Sequence, residues 1–104
     1  MQRKNKRLAI ALMVFSLTSL GVQAADVFKG SQLFTSYCAG CHGADGKGLL
    51  PGTPDFTQGM VLMKPDTMLV ATIKSGKGAM PAFTGILTEQ NLLDVIAHLR
   101  TLQR

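Results

Sequence analysis

The chain has 104 residues, of which 46% are hydrophobic and 16% charged, and it contains two cysteines. This length is enough for one small domain, and two cysteines exclude a scaffold held by several disulfides. The formal net charge is +5, but four of the eleven Lys and Arg residues lie within the first seven positions. The excess of positive charge is therefore no indication that the folded domain binds nucleic acid.

Residues 1–24 have the pattern of a secretory signal peptide. A basic start at positions 3–7 precedes an apolar run from Leu8 to Leu20, and small residues lead up to Ala24. The alternative is a retained membrane anchor, but a run of thirteen residues is shorter than the roughly 20 needed to span a bilayer. We therefore predict cleavage after Ala24, export to the periplasm and no membrane insertion of the mature chain. Residues 25–104 keep seven basic and six acidic residues, a net charge of +1.

A first helix is predicted from about Val27 to Cys41. Leu33 and Tyr37, like Phe34 and Cys38, are four residues apart and share a helical face. Gly30 lies inside this pattern, where glycine costs about 1 kcal/mol relative to alanine. It marks either a later helix start or a place where another backbone approaches closely.

The five residues Cys38-Ala39-Gly40-Cys41-His42 form the Cys-x-x-Cys-His signature of covalent haem attachment. On a helix, both thiols and the imidazole lie on one face, so the thiols can join the two vinyl groups while the His42 nitrogen ligates iron. Three alternatives for the cysteines are less favoured: an inert disulfide, a zinc site completed by His98, and a thioredoxin-type pair. Zinc fingers use two closely spaced histidines, and no βαβ pattern surrounds this motif. One haem c would also supply apolar volume that an 80-residue domain needs.

Residues 43–59 are rich in glycine and proline and predict an irregular loop. A second helix is predicted with Pro65 at its first position and Asp66 near its N-terminus, ending before Gly76 as a C-cap. Leu69 and Ile73 share one face of it, which covers either the core or the haem.

Met80 is the candidate for the sixth iron ligand. It stands in a glycine-proline loop and not on a periodic apolar face, so an ordered loop can present its thioether to iron. A core-filling role is the alternative for this side chain. The rival ligands are Met60, Met63 and Met68, which lack the same glycine-proline surroundings.

The last helix, from Thr88 to about Leu102, has the clearest pattern. Thr88 can cap its N-terminus, and Glu89 suits its first turn. An apolar stripe with helical spacing is formed by Leu92, Val95, Ile96, Leu99 and Leu102. His98 lies on the same helix and is expected to be a packing or surface residue and not an iron ligand.

The combination of these motifs resembles the class I c-type cytochromes, specifically their small monohaem members, over the whole of residues 25–104. The resemblance implies an all-α fold of three to four helices wrapped around one covalent haem, with His42 and Met80 as axial ligands. It also implies that the first and last helices cross at Gly30, next to an aromatic pair in which His98 replaces the usual Tyr or Phe. In this family a proline carbonyl accepts a hydrogen bond from the ligand histidine, and Pro54 fits that position better than Pro51.

An iron with two protein ligands has no free position for a substrate, so we expect an electron carrier and not an enzyme. The expected carrier is a periplasmic monomer that exchanges electrons with partner proteins. The alternatives are a haem subunit of a dehydrogenase or oxidase complex, a haem enzyme or gas sensor with an open sixth position, and a structural metal-binding module.

Overall fold

The computed structural model describes residues 13–16 and 23–104. Within these ranges the chain forms four helices and no strand: α1 (Val27–Tyr37), α2 (Ala39–His42), α3 (Asp66–Ser75) and α4 (Glu89–Thr101). The all-α prediction is confirmed. Most of the predicted signal peptide, residues 1–12 and 17–22, lies outside the described residues, so its cleavage stays a prediction. In the described part of the chain, no helix has the length and hydropathy needed to cross a membrane.

Helix α1 is shorter than predicted. Asp26 caps its N-terminus, where the carboxylate accepts a hydrogen bond from the Lys29 amide at 3.0 Å. The prediction that the helix continues to Cys41 is wrong, because Cys38 leaves helical geometry with φ −123° and ψ −36°. A helical i to i+4 hydrogen bond nevertheless spans the motif, since the Cys38 carbonyl accepts the His42 amide at 3.0 Å. Cys38 and His42 therefore keep the one-turn relation that the motif requires.

Helices α1 and α4 cross with their backbones in contact at Gly30. A Cβ atom on Gly30 would overlap the Asp94 carbonyl and lie 3.0 Å from the Val95 nitrogen. The close-approach interpretation of Gly30 is confirmed, and the late helix start is wrong because α1 begins three residues earlier. The predicted aromatic pair is also present, with the Phe34 and His98 ring centroids 5.3 Å apart.

Helix α4 forms as its sequence predicts. The Thr88 hydroxyl accepts the Asn91 amide at 3.1 Å, and the Asn91 side chain accepts the Thr88 amide at 3.2 Å, which completes a capping box. Four of the five stripe residues are buried, and Leu102 is half-buried at the C-terminal end. The stripe joins two core clusters. The first contains Phe34, Phe56, Leu62, Val95 and Leu99, and the second contains Val70, Phe83, Leu87, Leu92 and Ile96.

Helix α3 packs against the same core. Pro65 is the N-cap and not the first helical residue, a difference of one position from the prediction. Leu69 and Ile73 are half-buried against the core clusters, while Val70, between them, is the buried residue of the helix. Arg100 of α4 holds the start of α3. Its guanidinium donates to the carbonyls of Leu62 and Lys64, both at 2.9 Å, and to the Asp66 carboxylate at 2.7 Å.

Candidate functional site

The Cys-x-x-Cys-His motif forms the end of α1 and all of α2. Cys38 is half-buried, Cys41 is exposed, and both thiols are free. Burial raises the pKa of the Cys38 thiol to about 11, so this sulfur is protonated at neutral pH. Thioredoxin-type pairs have a nucleophilic cysteine whose pKa is lowered from the ordinary value. The Cys38 environment is therefore opposite to that of a dithiol redox site.

A zinc site also finds no support in the described residues. Across residues 13–16 and 23–104, no group of three or more His, Cys, Asp or Glu side chains is close enough to hold a metal ion. His98, the histidine that would complete such a site, packs against Phe34 in the helix crossing. The packing interpretation of His98 fits this contact.

The His42 imidazole is half-buried, and its surroundings suit a neutral ring. Burial lowers the pKa of His42, which favours the unprotonated form that can ligate iron. Its Nδ1 atom is buried and has no hydrogen-bond partner among the described residues. The ring of Phe56 stacks on the imidazole, with centroids 5.0 Å apart and planes inclined by 28°. A buried imidazole nitrogen without a partner is unusual in a native structure, and an acceptor or a ligand at this ring would account for it.

The loop after the motif folds back onto it. The amide of Gly48 donates to the His42 carbonyl at 2.7 Å, and the amide of Leu49 donates to the Cys41 carbonyl at 2.9 Å. Pro54 lies farther along the same loop and is exposed. The hydrogen bond expected between His42 Nδ1 and the Pro54 carbonyl is not formed in this structure, since Nδ1 has no partner within residues 13–16 and 23–104.

Met80 stands on a tight turn that main-chain hydrogen bonds hold in place. Lys77 and Met80 form a two-way pair, with N–O distances of 3.1 and 3.0 Å. Gly76 makes the turn possible. It has φ +73°, and a Cβ there would lie 2.7 Å from the Met80 oxygen and 2.8 Å from the Ala82 nitrogen. The loop brings Met80 near His42.

Burial separates Met80 from the rival methionines. Met80 is half-buried, whereas Met60 is 80% exposed, Met63 74% and Met68 54%. An edge contact between the rings of Tyr37 and Phe83, 6.4 Å apart, connects the end of α1 to the segment after Met80. The two cysteines, His42 and Met80 are thus grouped on elements that contact one another, as a covalently attached haem requires.

Two contacts of this region are not visible in the motif itself. The stacking of Phe56 on His42 joins residues fourteen positions apart. Its one local signal is that Phe56 follows the Pro54-Asp55 pair, where the expected acceptor lies. The clamp of Arg100 on Leu62 spans 38 positions and has no local signal.

Comparisons with known proteins point to one family. Residues 25–99 match the family model described as cytochrome C oxidase, cbb3-type, subunit III. Cytochrome c6 from Nostoc sp. is 35% identical over 94 residues, which cover 88% of this chain and 83% of that protein. Cbb3-type cytochrome c oxidase subunit CcoP from Rhodobacter capsulatus is 43% identical over 68 residues, covering 60% of this chain but 23% of that subunit. The structure of cytochrome c6 from the diatom Phaeodactylum tricornutum superposes with a TM-score of 0.60 at 29% identity, covering 74% of this chain and 93% of that one.

Proposed function

The chain belongs to the class I c-type cytochromes, and from that premise we propose that it is a periplasmic one-electron carrier with His42 and Met80 as axial ligands. The family and the two cysteines identify the cofactor as one covalent haem c. The likeness to cytochrome c6 over most of both chains makes it a monohaem electron-transfer cytochrome.

One observation carries the proposed ligation: among the four candidate methionines, Met80 is the half-buried one. It lies on a hydrogen-bonded turn near His42, and burial of His42 favours the neutral imidazole. When bound, haem iron supplies the one-electron couple. His42 contributes a neutral nitrogen and Met80 a soft thioether, a pair that favours the reduced state and raises the reduction potential. With both axial positions taken by the chain, no position remains for a substrate. We therefore propose a carrier and not an enzyme or gas sensor.

Pro54 is proposed as the acceptor for His42 Nδ1 in the haem-loaded protein. The loop that carries Pro54 is already hydrogen-bonded to the His42 and Cys41 carbonyls, and Nδ1 is buried without a partner in the described part of the chain. A hydrogen bond from Nδ1 to the Pro54 carbonyl would fix the orientation of the imidazole and increase its basicity.

The proposed location and partners rest on sequence features. Cleavage after Ala24 would release an exported monomer, in a compartment where c-type haem is attached to thiols. Lys77 is exposed on the Met80 turn, and Lys47 and Lys74 belong to neighbouring segments. These lysines would attract an acidic redox partner electrostatically. At 0.1 M salt this attraction acts over about 10 Å, so charges close to the docking surface matter more than the net charge. Reduction by such a partner should slow with rising salt, and Lys77→Glu should slow it more than Lys29→Glu on α1.

A permanent subunit of an oxidase complex is the second candidate. The 43% identity to CcoP and the match to the subunit III model favour it. Purification from native membranes and periplasm separates the two. A carrier is recovered alone in the periplasmic fraction, and a subunit is recovered with its complex.

The ligation is tested by replacing the methionines one at a time. Met80→Ala should abolish the sulfur-to-iron charge-transfer band of the ferric protein, lower its potential and allow carbon monoxide to bind the ferrous iron. Met63→Ala and Met60→Ala are the matched controls and should keep the band. A band that persists in Met80→Ala would assign the sixth ligand to another residue. Covalent attachment is tested by acid-acetone extraction of the wild-type protein. Release of the haem into the acetone would contradict it.

A further inference from the structure

The His42 ring has a neighbour that lies outside the Cys-x-x-Cys-His motif. A histidine on a helical turn can still rotate about its Cβ–Cγ bond, because that torsion is broad and roughly two-fold. A hydrogen bond from Nδ1 to the Pro54 carbonyl, proposed above for the haem-loaded protein, would restrict this rotation at one edge of the ring, although Nδ1 has no partner among the described residues. The ring of Phe56 lies nearly parallel to the His42 imidazole, with the two ring centroids 5.0 Å apart.

Phe56 is itself held firmly enough to restrict another ring. Its side chain is 8% exposed and packs in the core cluster with Phe34, Leu62 and Val95. Its amide donates to the Gly46 carbonyl at 2.8 Å. The next residue is also fixed, since the Thr57 hydroxyl and amide both donate to the Asp55 carboxylate, at 2.6 and 2.9 Å. The aromatic face therefore has a defined position relative to α2.

We propose that Phe56 is a positioning residue that sets the rotation of the His42 imidazole by stacking on it. A planar ring favours one orientation of the facing imidazole, whereas an aliphatic side chain of similar volume fills the space with no preferred plane. The ring plane determines how the histidine nitrogen overlaps with the iron orbitals, and so affects the magnetic anisotropy and the potential. The inference deepens the proposed function and rests on His42 being an iron ligand.

The test compares variants that remove the aromatic face with one that keeps it. Phe56→Leu and Phe56→Ile should change the g-values of the ferric protein and the pattern of its haem-methyl proton shifts, and should shift the potential downward as water gains access to His42. Phe56→Tyr keeps a ring and should retain the wild-type spectra. Phe34→Leu is the matched control, because Phe34 is buried in the same cluster but pairs with His98. It should lower stability and leave the spectra unchanged.

The outcomes separate this inference from the ligation on which it rests. The positioning role is supported if all variants keep the charge-transfer band and the low-spin spectrum, and if the g-values change only in Phe56→Leu and Phe56→Ile. The same band with wild-type g-values and methyl shifts in both of these variants overturns it while leaving the ligation intact. A wild-type protein without a low-spin histidine signature would instead contradict the ligation, and the positioning role with it.

Discussion

The α1–α4 crossing and the ligand-bearing loops are built in different ways. At the crossing, two backbones meet at Gly30, and buried side chains of both helices fill the surroundings. The loops that carry Pro54 and Met80 are anchored in the core by Phe56 and Phe83. Their exposed turns are held by main-chain hydrogen bonds, such as the pair between Lys77 and Met80. Packing is sensitive to added or removed volume, whereas a turn held by backbone groups tolerates many side chains. We expect changes at the crossing to alter the free energy of unfolding and changes in the loops to alter the potential.

The largest effect is expected at the crossing glycine. Gly30→Val should lower the free energy of unfolding of the haem-loaded protein by at least about 3 kcal/mol, because its side chain would overlap the Asp94 carbonyl and separate the helices. Denaturant unfolding measures the loss. Gly59→Ala is the control, since Gly59 lies outside the haem motif, has no positive φ and a Cβ there meets nothing within 4 Å. Both variants should keep the wild-type potential, and a shifted potential in Gly30→Val would contradict the separation of the two regions.

A buried carboxylate next to the same crossing gives the second prediction. Asp94 is 4% exposed and accepts the Asp26 amide at 2.9 Å and the Gln90 side-chain amide at 3.0 Å. Asp94→Ala should lower the free energy of unfolding by about 2 kcal/mol, because the Asp26 amide loses its acceptor. Asp94→Asn keeps an acceptor oxygen and should lose less. Equal losses in the two variants would show that this hydrogen bond contributes little.

The features predicted correctly are those that neighbouring residues determine. The Thr88 cap, the apolar stripe of α4 and the Gly76 C-cap depend on residues within about one helical turn, and periodicity and capping rules describe such patterns. The interruption at Cys38 was missed because nothing in the local apolar pattern distinguishes a continuous helix from two helices in succession. Met80 was predicted as the sixth ligand from its glycine-proline loop, and the family resemblance supported its pairing with His42.

The missed contacts join distant parts of the chain. Phe56 lies beside His42, and Arg100 lies beside Leu62 and Lys64, only after the 43–66 segment has folded against α2 and α4. The unpartnered Nδ1 of His42 is likewise a property of the packed structure. Hydrophobic periodicity does not indicate which loop residue faces which helix, so these contacts could not be predicted from the sequence.

The Arg100 clamp connects the two regions and should have an intermediate effect. Arg100→Gln should lower the free energy of unfolding by about 1 kcal/mol and speed amide exchange at the start of α3, because two carbonyls lose their donor. Asp66→Asn weakens the half-exposed ion pair and removes a negative charge from the N-terminus of α3, and it should have the smaller effect. If Asp66→Asn matches Arg100→Gln in both measurements, the ion pair and not the carbonyl contacts stabilises this segment.

The smallest effect expected at the crossing is a dependence on pH. Burial lowers the pKa of His98 below its ordinary value of about 6.5, so the unfolded chain binds a proton more readily than the folded one. The stability contributed by neutral His98 is fully present above the unfolded pKa and is lost as the pH falls below it, toward the lower folded pKa. Between about pH 8 and about pH 5, the free energy of unfolding should therefore fall more for the wild type than for His98→Phe. His98→Phe also keeps a ring against Phe34, so the comparison isolates the titration from the packing. Because the carboxylates contribute equally to both proteins, an identical loss in the two would mean that His98 is protonated as easily in the folded crossing as in the unfolded chain.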